Sequence, residues 1–382
     1  MDTEALLDTA RAQTGLGDLG SDSYREGLDR YVWSVTEEAR LNDLGRAAIE
    51  AQVTTNLVNR LRVTDWITRN PSVLDRPVER PLIVLGLPRT GTTLLSELFH
   101  RDPRNRSLMR WEAQDPVPPP DGTHFDDDPR IETARASAEM MEQLNPGFGA
   151  IHYEAPDGPT ECVAVLSQDF KSLLWECVAN VPSYGEWLLT CDQAPAYEHH
   201  RRVLQLLQSN APGRWALKTP HHCLALDAVV AQYPDARLVM THRDPVTVVA
   251  SLCSLIRSLT GTFTDADHGK YINAHWPAVA GTIVDRVMAW RDANGDDRFH
   301  DVAYDALISD PVGTVREIYG HFGDELGPDA EAAMRTYAAE NPQGVRGRHS
   351  YALDELGLDG GALEERFAGY RARFGIRRDA LH

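Results

Sequence analysis

Residues 81–99, PLIVLGLPRTGTTLLSELF, combine small residues, hydroxyls and one cation in a pattern suited to binding phosphate. The first part, Leu82–Leu85, is a short apolar run typical of a buried parallel strand. Leucines at helical spacing follow the turn, so backbone N–H groups and the positive end of a helix would face an anion there. The turn contains six residues: Pro88, Arg89, Thr90, Gly91, Thr92 and Thr93. It predicts a phosphate-binding site, and a strand–helix turn without a ligand is the alternative.

The spacing Gly86-x4-Gly91 fits the nucleotide-binding P-loop, but its lysine is absent. Thr92 occupies the position after the second glycine, where that loop has lysine, and the cation lies earlier, at Arg89. The usual contact with β- and γ-phosphates is therefore missing. A nucleotide-dependent phosphotransferase remains an alternative function, as does a nucleotide-binding protein without catalysis.

Two further cations follow predicted strands. Lys218 ends the run RWALK, and Arg243 follows ARLVMTH. Ser251 lies eight residues beyond Arg243, inside the next predicted helix, so a guanidinium fork and a hydroxyl from adjacent elements can share one phosphate. A simple pair of Arg243 with Asp244 is the alternative. His242–Asp244 also mimics the catalytic-loop triplet of protein kinases, but Val249 lies where that loop needs asparagine and no Asp-Phe-Gly occurs, which argues against a protein kinase.

These motifs, in this order, resemble sulfotransferases that use 3′-phosphoadenosine 5′-phosphosulfate (PAPS), and especially the bacterial branch of that family. PRTGTT resembles their 5′-phosphosulfate loop, Arg243-x7-Ser251 their 3′-phosphate site, and LKTPHH their Lys-Ser/Thr-Pro-x-His segment. The resemblance covers about 80–115 and 214–355. It implies transfer of a sulfuryl group from PAPS to a hydroxyl of a small-molecule acceptor, in line and with a general base, releasing 3′,5′-ADP. It also implies that Arg89 and Lys218 assist the chemistry, with Lys218 at the bridging oxygen.

The resemblance suggests two positions for the general base. Glu112 lies at a distance from the loop similar to that of the catalytic glutamate of some family members, and we slightly prefer it. His222 falls on the histidine of the LKTPHH segment, with His221 beside it. At a helix start, both imidazoles are expected to be neutral, which is the form that a base needs.

Two later segments also resemble the family. Tyr304, in VAYDALISDP, is similar to a tyrosine that approaches adenine. VRGRHSYALDELGL resembles the loop that closes over the 3′-phosphate, which implies contacts from Arg346, Gly347 and Arg348.

Strands alternating with helices position these residues and predict an α/β fold with a parallel sheet flanked by helices. Ligands bind at the carboxyl ends of such strands, where the candidate residues lie. Residues 1–78 are expected to form a helical cover or an oligomer contact, and 79–382 an α/β domain. A helical and loop-rich insertion at about 115–210, with interleaved aromatic residues, is expected to wall the acceptor site or to extend the core.

Charge and composition narrow the function. A formal charge of −19 over 382 residues argues against a nucleic-acid partner, because no basic face is available. Five cysteines, never in Cys-x-x-Cys spacing, indicate reduced thiols and no metal centre. The polar, acidic start and the absence of a long apolar stretch predict a cytoplasmic protein without a membrane span.

Overall fold

The computed structural model describes residues 1–123, 125–342 and 353–379. A five-stranded sheet in the order β2-β3-β1-β4-β5 forms its centre, and every neighbouring pair is parallel. The strands are β1 (Leu82–Gly86), β2 (Asn105–Ser107), β3 (Arg214–Lys218), β4 (Arg237–His242) and β5 (Phe299–Ala303). The predicted parallel α/β sheet is confirmed. Only β2 was not predicted, because this three-residue edge strand is polar and carries no apolar run.

Three helices precede the sheet. They are α1 (Thr3–Thr14), α2 (Ser23–Glu37) and α3 (Asp43–Arg69), and a 3-10 turn (Pro71–Asp75) follows. Asp2 and Asn42 cap α1 and α3 by accepting from backbone N–H groups at 2.8 Å. Apolar side chains of these helices belong to the same hydrophobic cluster as Ile83 and Leu85 of β1. The helices therefore extend the hydrophobic core that covers one face of the sheet.

The segment between β2 and β3 is mostly helical. It contains α5 (Arg110–Gln114), α6 (Arg130–Leu144), α7 (Phe148–Ile151), α8 (Val163–Leu166), α9 (Leu174–Val178), α10 (Pro182–Leu188) and α11 (Ala194–Leu207). Trp175 and Tyr184 are fully buried and pack around Tyr31 of α2, with ring centroids 4.6 and 5.3 Å away. These aromatic residues belong to the core, whereas Tyr153 is 39% exposed. Among the described aromatic residues between β2 and β3, Tyr153 is the most exposed.

A helix after each of β1, β3, β4 and β5 was predicted, and further helices follow β5. After β1 comes α4 (Thr92–His100), and after β3 come a 3-10 turn (Pro220–Leu224) and α12 (Leu226–Gln232). After β4 come α13 (Pro245–Gly261) and α14 (Gly269–Asn294). After β5 come α15 (Tyr304–Ser309), α16 (Pro311–His321), α17 (Pro328–Glu340), α18 (Leu353–Leu356), α19 (Gly360–Arg366) and α20 (Ala368–Phe374). Throughout residues 1–123, 125–342 and 353–379, no helix is both long enough and apolar enough to cross a bilayer.

Several histidines lie in the core beside β3. His222 Nδ1 is 2.8 Å from the Tyr197 hydroxyl, and His200 Nδ1 is 2.6 Å from the Tyr233 hydroxyl. Burial lowers the pKa of His200 to about 3 and that of His221 to about 3, and it also holds the pKa of His222 well below the ordinary value. All three imidazoles are therefore neutral in the folded protein at pH 7.

We predict that stability falls as the pH drops below about 6.5, the ordinary histidine value. The unfolded chain takes up protons between that pH and about 3, while the folded chain does not. Each such histidine then removes about 1.4 kcal/mol of unfolding free energy per pH unit. Urea unfolding at pH 7.5, 6.0 and 5.0 measures the slope, and His221→Gln is expected to flatten it by one proton. An equal slope in the variant would contradict the assignment.

Candidate active site

The turn between β1 and α4 depends on two glycines. Gly86 has φ +137°, and a Cβ there would lie 2.6 Å from the carbonyl oxygen of Thr241 in β4. Gly91 has φ +89°, and its Cβ would lie 2.9 Å from Leu307. Only glycine combines these backbone angles with such close neighbours. The loop is therefore held between β4 and α15.

Thr90 stabilises the shape of the loop, whereas the start of α4 offers N–H groups to a ligand. The Thr90 hydroxyl donates to the Leu87 carbonyl at 2.6 Å and lies 2.6 Å from the Thr241 hydroxyl, so it holds the loop's shape. The Thr90 hydroxyl is thus used within the fold, and the predicted place of Thr90 in the cofactor loop stays a prediction. Gly91 is the N-cap of α4 and provides no side-chain cap, so the first N–H groups of the helix suit an anion.

Four predicted cofactor residues meet beside this loop. Arg89, at φ +66°, donates from Nε to Ser251 Oγ at 3.2 Å. Arg243 donates from Nη1 to the Arg89 carbonyl at 3.2 Å, and its guanidinium lies 4.3 Å from the Tyr304 ring centre. Tyr304 also borders Gly91, whose Cβ would be 3.2 Å from its ring. The structure thus brings Arg89, Ser251, Arg243 and Tyr304 together.

Lys218 approaches the same loop from β3. Its side chain is 1% exposed, and Nζ donates to Thr93 Oγ1 at 3.2 Å. Nζ also lies 3.5 Å from Glu161 Oε1 and 3.7 Å from Glu154 Oε1. This arrangement puts a buried ammonium between the phosphate loop and two carboxylates.

Glu154 and Glu161 are site residues that the sequence did not indicate, because no motif spacing connects them with Lys218. His152 joins them, with Nε2 3.9 Å from Glu154 Oε1. Burial lowers the pKa of His152, and this effect outweighs the opposing charges of Glu154 and Glu161. Burial by itself raises the pKa of Glu154, but the charges of Lys218 and Arg110 and the hydrogen bond from Thr160 are among the contacts that together outweigh it and hold that pKa below its usual range. His152 is therefore neutral and Glu154 ionised at pH 7.

Glu112 has a structural position, which corrects our preference for it as the base. Its carboxylate is fully buried and forms a two-pronged pair with Arg106, at 2.7 and 2.6 Å. It also accepts from the Met109 N–H at 2.8 Å, closing the start of α5. Both oxygens are engaged in holding β2 to α5, so the carboxylate is not presented to an acceptor.

His221 and His222 are also structural. His221 Nδ1 accepts from the Leu173 N–H at 3.3 Å, and Nε2 lies 3.3 Å from Gln193 Oε1. Both histidines are fully buried, and His222 faces Tyr197. The expected neutral form is correct, but its cause is burial, and neither ring is placed to take a proton from an acceptor.

Three positions near the predicted closing loop lie outside the described residues. Arg346, Gly347 and Arg348 remain predictions. Within the described chain, Pro88 is half-buried and Thr92 is 5% exposed at the start of α4.

We predict that Glu112→Gln lowers the free energy of unfolding by about 3 kcal/mol, because it leaves a buried Arg106 guanidinium without its ionic partner. Urea unfolding measures the loss, and Glu132→Gln, at a side chain 79% exposed, is the control with a change below about 0.5 kcal/mol. Unaltered stability combined with a hundredfold loss of turnover would restore Glu112 as the base.

Known proteins resemble this chain over most of its length. Residues 81–328 match the sequence model of the sulfotransferase family. Sulfotransferase STF9 from Mycobacterium avium is 36% identical, with 98% of this chain and 97% of that chain covered and a TM-score of 0.91. Sulfotransferase STF1 from Mycobacterium tuberculosis H37Rv is also 36% identical, with 97% and 99% covered and a TM-score of 0.86.

A curated relative from Mycobacterium tuberculosis (strain CDC 1551 / Oshkosh), omega-hydroxy-beta-dihydromenaquinone-9 sulfotransferase Stf3, is 26% identical over 262 residues. That match includes 64% of this chain and spans only 62% of the relative's own length. The family match covers well over half of the chain, and the two solved structures share its parallel sheet and flanking helices. The chain therefore belongs to the sulfotransferase family and has the fold of its bacterial members.

Proposed function

We propose that this sulfotransferase moves a sulfuryl group from PAPS to a hydroxyl of a small apolar acceptor. The observation that carries the proposal is the convergence of Arg89, Arg243 and Lys218 on one glycine-containing turn. In a chain with a net charge of −19, such a concentration of cations at one sheet edge favours a small, highly charged anion.

Different residues of the site would bind the two anionic ends of PAPS. The N-terminus of α4, with Thr92 and Thr93, would hold the 5′-phosphosulfate, because its N–H groups have no side-chain cap. Arg243 and Ser251 would hold the 3′-phosphate, and the Tyr304 ring fixes the Arg243 guanidinium beside them. The absence of a Cβ at Gly91 lets the turn pack closely against Leu307 and Tyr304, which holds this cradle in place.

Lys218 is the residue best placed to assist the leaving group. PAPS supplies an activated sulfuryl group on a phosphate oxygen, and charge develops on that oxygen during transfer. The Lys218 ammonium, 3.2 Å from Thr93 Oγ1 and almost fully buried, would offset this charge in a site of low dielectric. Positioning of the two reactants in line supplies much of the remaining rate.

We assign proton acceptance to Glu161. Its Oε1 is the nearer of the two carboxylate contacts of Lys218, and Thr219 donates to its Oε2 at 3.2 Å. The lowered pKa of Glu154 makes that carboxylate the weaker proton acceptor of the two. A carboxylate at this position can remove the proton of an attacking hydroxyl.

Apolar surface beside His152 supports the acceptor class. The Phe148 ring lies 6.2 Å from the His152 ring. Tyr153, Leu144 and Met140 are among the exposed large apolar side chains of the described residues, at 39%, 39% and 62%. The relative named for a hydroxylated menaquinone acts on an apolar alcohol, and we propose the same broad class here.

We predict that Arg243→Ala weakens 3′,5′-ADP binding by about 10- to 100-fold, because a charge-assisted contact to the 3′-phosphate is lost. Titration calorimetry measures the change, with 5′-AMP expected to stay within about twofold because it lacks that phosphate. Arg135→Ala, at a half-exposed arginine of α6, is the control. Tighter binding of ATP with magnesium-dependent turnover would instead support a phosphotransferase.

We predict that Glu161→Gln and Lys218→Met each lower kcat by about 10²- to 10⁴-fold while 3′,5′-ADP affinity changes little. Transfer of labelled sulfate from PAPS to a panel of apolar alcohols measures the rate. Glu154→Gln serves as the matched carboxylate comparison and is expected to lose less. If Glu154→Gln is the slower of the two glutamine variants, the base assignment moves to Glu154.

A further inference from the structure

The segment after α20 returns to the nucleotide side of the sheet. The His242 ring, at the end of β4, stacks on Phe374 with centroids 4.3 Å apart, and its Nδ1 lies 2.8 Å from the Tyr370 hydroxyl. Its Nε2 lies 2.8 Å from Asp301 Oδ1. These contacts dock α20 directly beside Arg243.

Asp379 then reaches the arginine assigned to the 3′-phosphate. Arg243 Nε donates to Asp379 Oδ2 at 2.8 Å, and both side chains are about one-fifth exposed (19% and 21%). The Asp379 N–H donates to Asp244 Oδ2 at 3.3 Å, while Asp244 is itself buried at the start of α13. Backbone and side chain thus hold the carboxylate on the guanidinium.

A carboxylate oxygen and a phosphate oxygen make the same kind of hydrogen bond with a guanidinium group. The Arg243 Nε–H can donate to only one such oxygen at a time, so the two anions compete for it. We propose that Asp379 is an internal anion of the nucleotide site, which occupies Arg243 until a 3′-phosphate displaces it. The inference rests on the proposed function. If Asp379 occupies Arg243, binding of the 3′-phosphate requires that the Arg243–Asp379 contact break, and the residues after α20 are then released.

The surroundings of Arg243 suit such an exchange. Its Nη1 contact with the Arg89 carbonyl and its packing on Tyr304 do not involve Asp379, so the guanidinium keeps its place when the carboxylate leaves. A phosphate monoester carries up to two negative charges against one for Asp379, and it therefore competes well for the site. Coupling of this kind is reciprocal, because whatever fixes Asp379 on Arg243 must weaken the nucleotide.

Titration calorimetry of Asp379→Ala at low ionic strength tests the competition. We expect 3′,5′-ADP to bind about tenfold more tightly than to the unchanged protein, with 5′-AMP within about twofold. Glu365→Gln, on an exposed position of α19, also removes one negative charge and should leave both affinities unchanged. Equal or weaker 3′,5′-ADP binding in Asp379→Ala overturns the inference.

Limited trypsin digestion tests the release of the segment. Arg377 and Arg378 are exposed beside Asp379, and 3′,5′-ADP should speed cleavage there, whereas 5′-AMP should not. Protection, or no change, at saturating 3′,5′-ADP contradicts displacement. If the unchanged protein does not bind 3′,5′-ADP, the proposed function fails. If binding depends on Arg243 but not on Asp379, only the inference fails.

Discussion

The site depends on how closely the loop after β1 can approach its neighbours. Gly86 lies against the Thr241 carbonyl and Gly91 against Leu307 and Tyr304, so a side chain at either position would separate the loop from β4 or α15. The same close approach lets Arg243, which follows β4, donate to the Arg89 carbonyl of the loop. Without that close packing, the cations from β3 and β4 would not face the N-terminus of α4 together.

Each cation of the site has a partner within the protein. Arg89 meets Ser251, Arg243 meets Asp379, and Lys218 meets Thr93 and two carboxylates. A buried cation without such partners is costly, and a strongly acidic chain supplies carboxylates readily. An incoming anion must therefore exchange for existing contacts. This requirement favours ligands that carry several charges at the right separations.

The histidines and glutamates show that residue type alone does not assign a role. His221, His222 and Glu112 have the chemistry of a base, yet His221 accepts from the Leu173 N–H, His222 Nδ1 pairs with Tyr197 of α11, and Glu112 pairs with Arg106 of β2. Glu154 and Glu161 come from the segment between β2 and β3 and reach Lys218 only because that segment folds back over the sheet. Glu154 and Glu161 differ from His221, His222 and Glu112 because they lie beside Lys218 and the loop after β1.

The sequence alone determined the parallel sheet, the glycine-containing turn after β1 and the cations at the ends of β3 and β4, because these features depend on short-range patterns. Apolar runs, turn residues and helix starts are local, and parallel strands bring their carboxyl ends to one edge. The edge strand β2, the partners of Lys218 and the contact of Asp379 with Arg243 were decided by tertiary packing. These contacts join residues 57 to 136 positions apart, and their geometry depends on how the intervening helices pack.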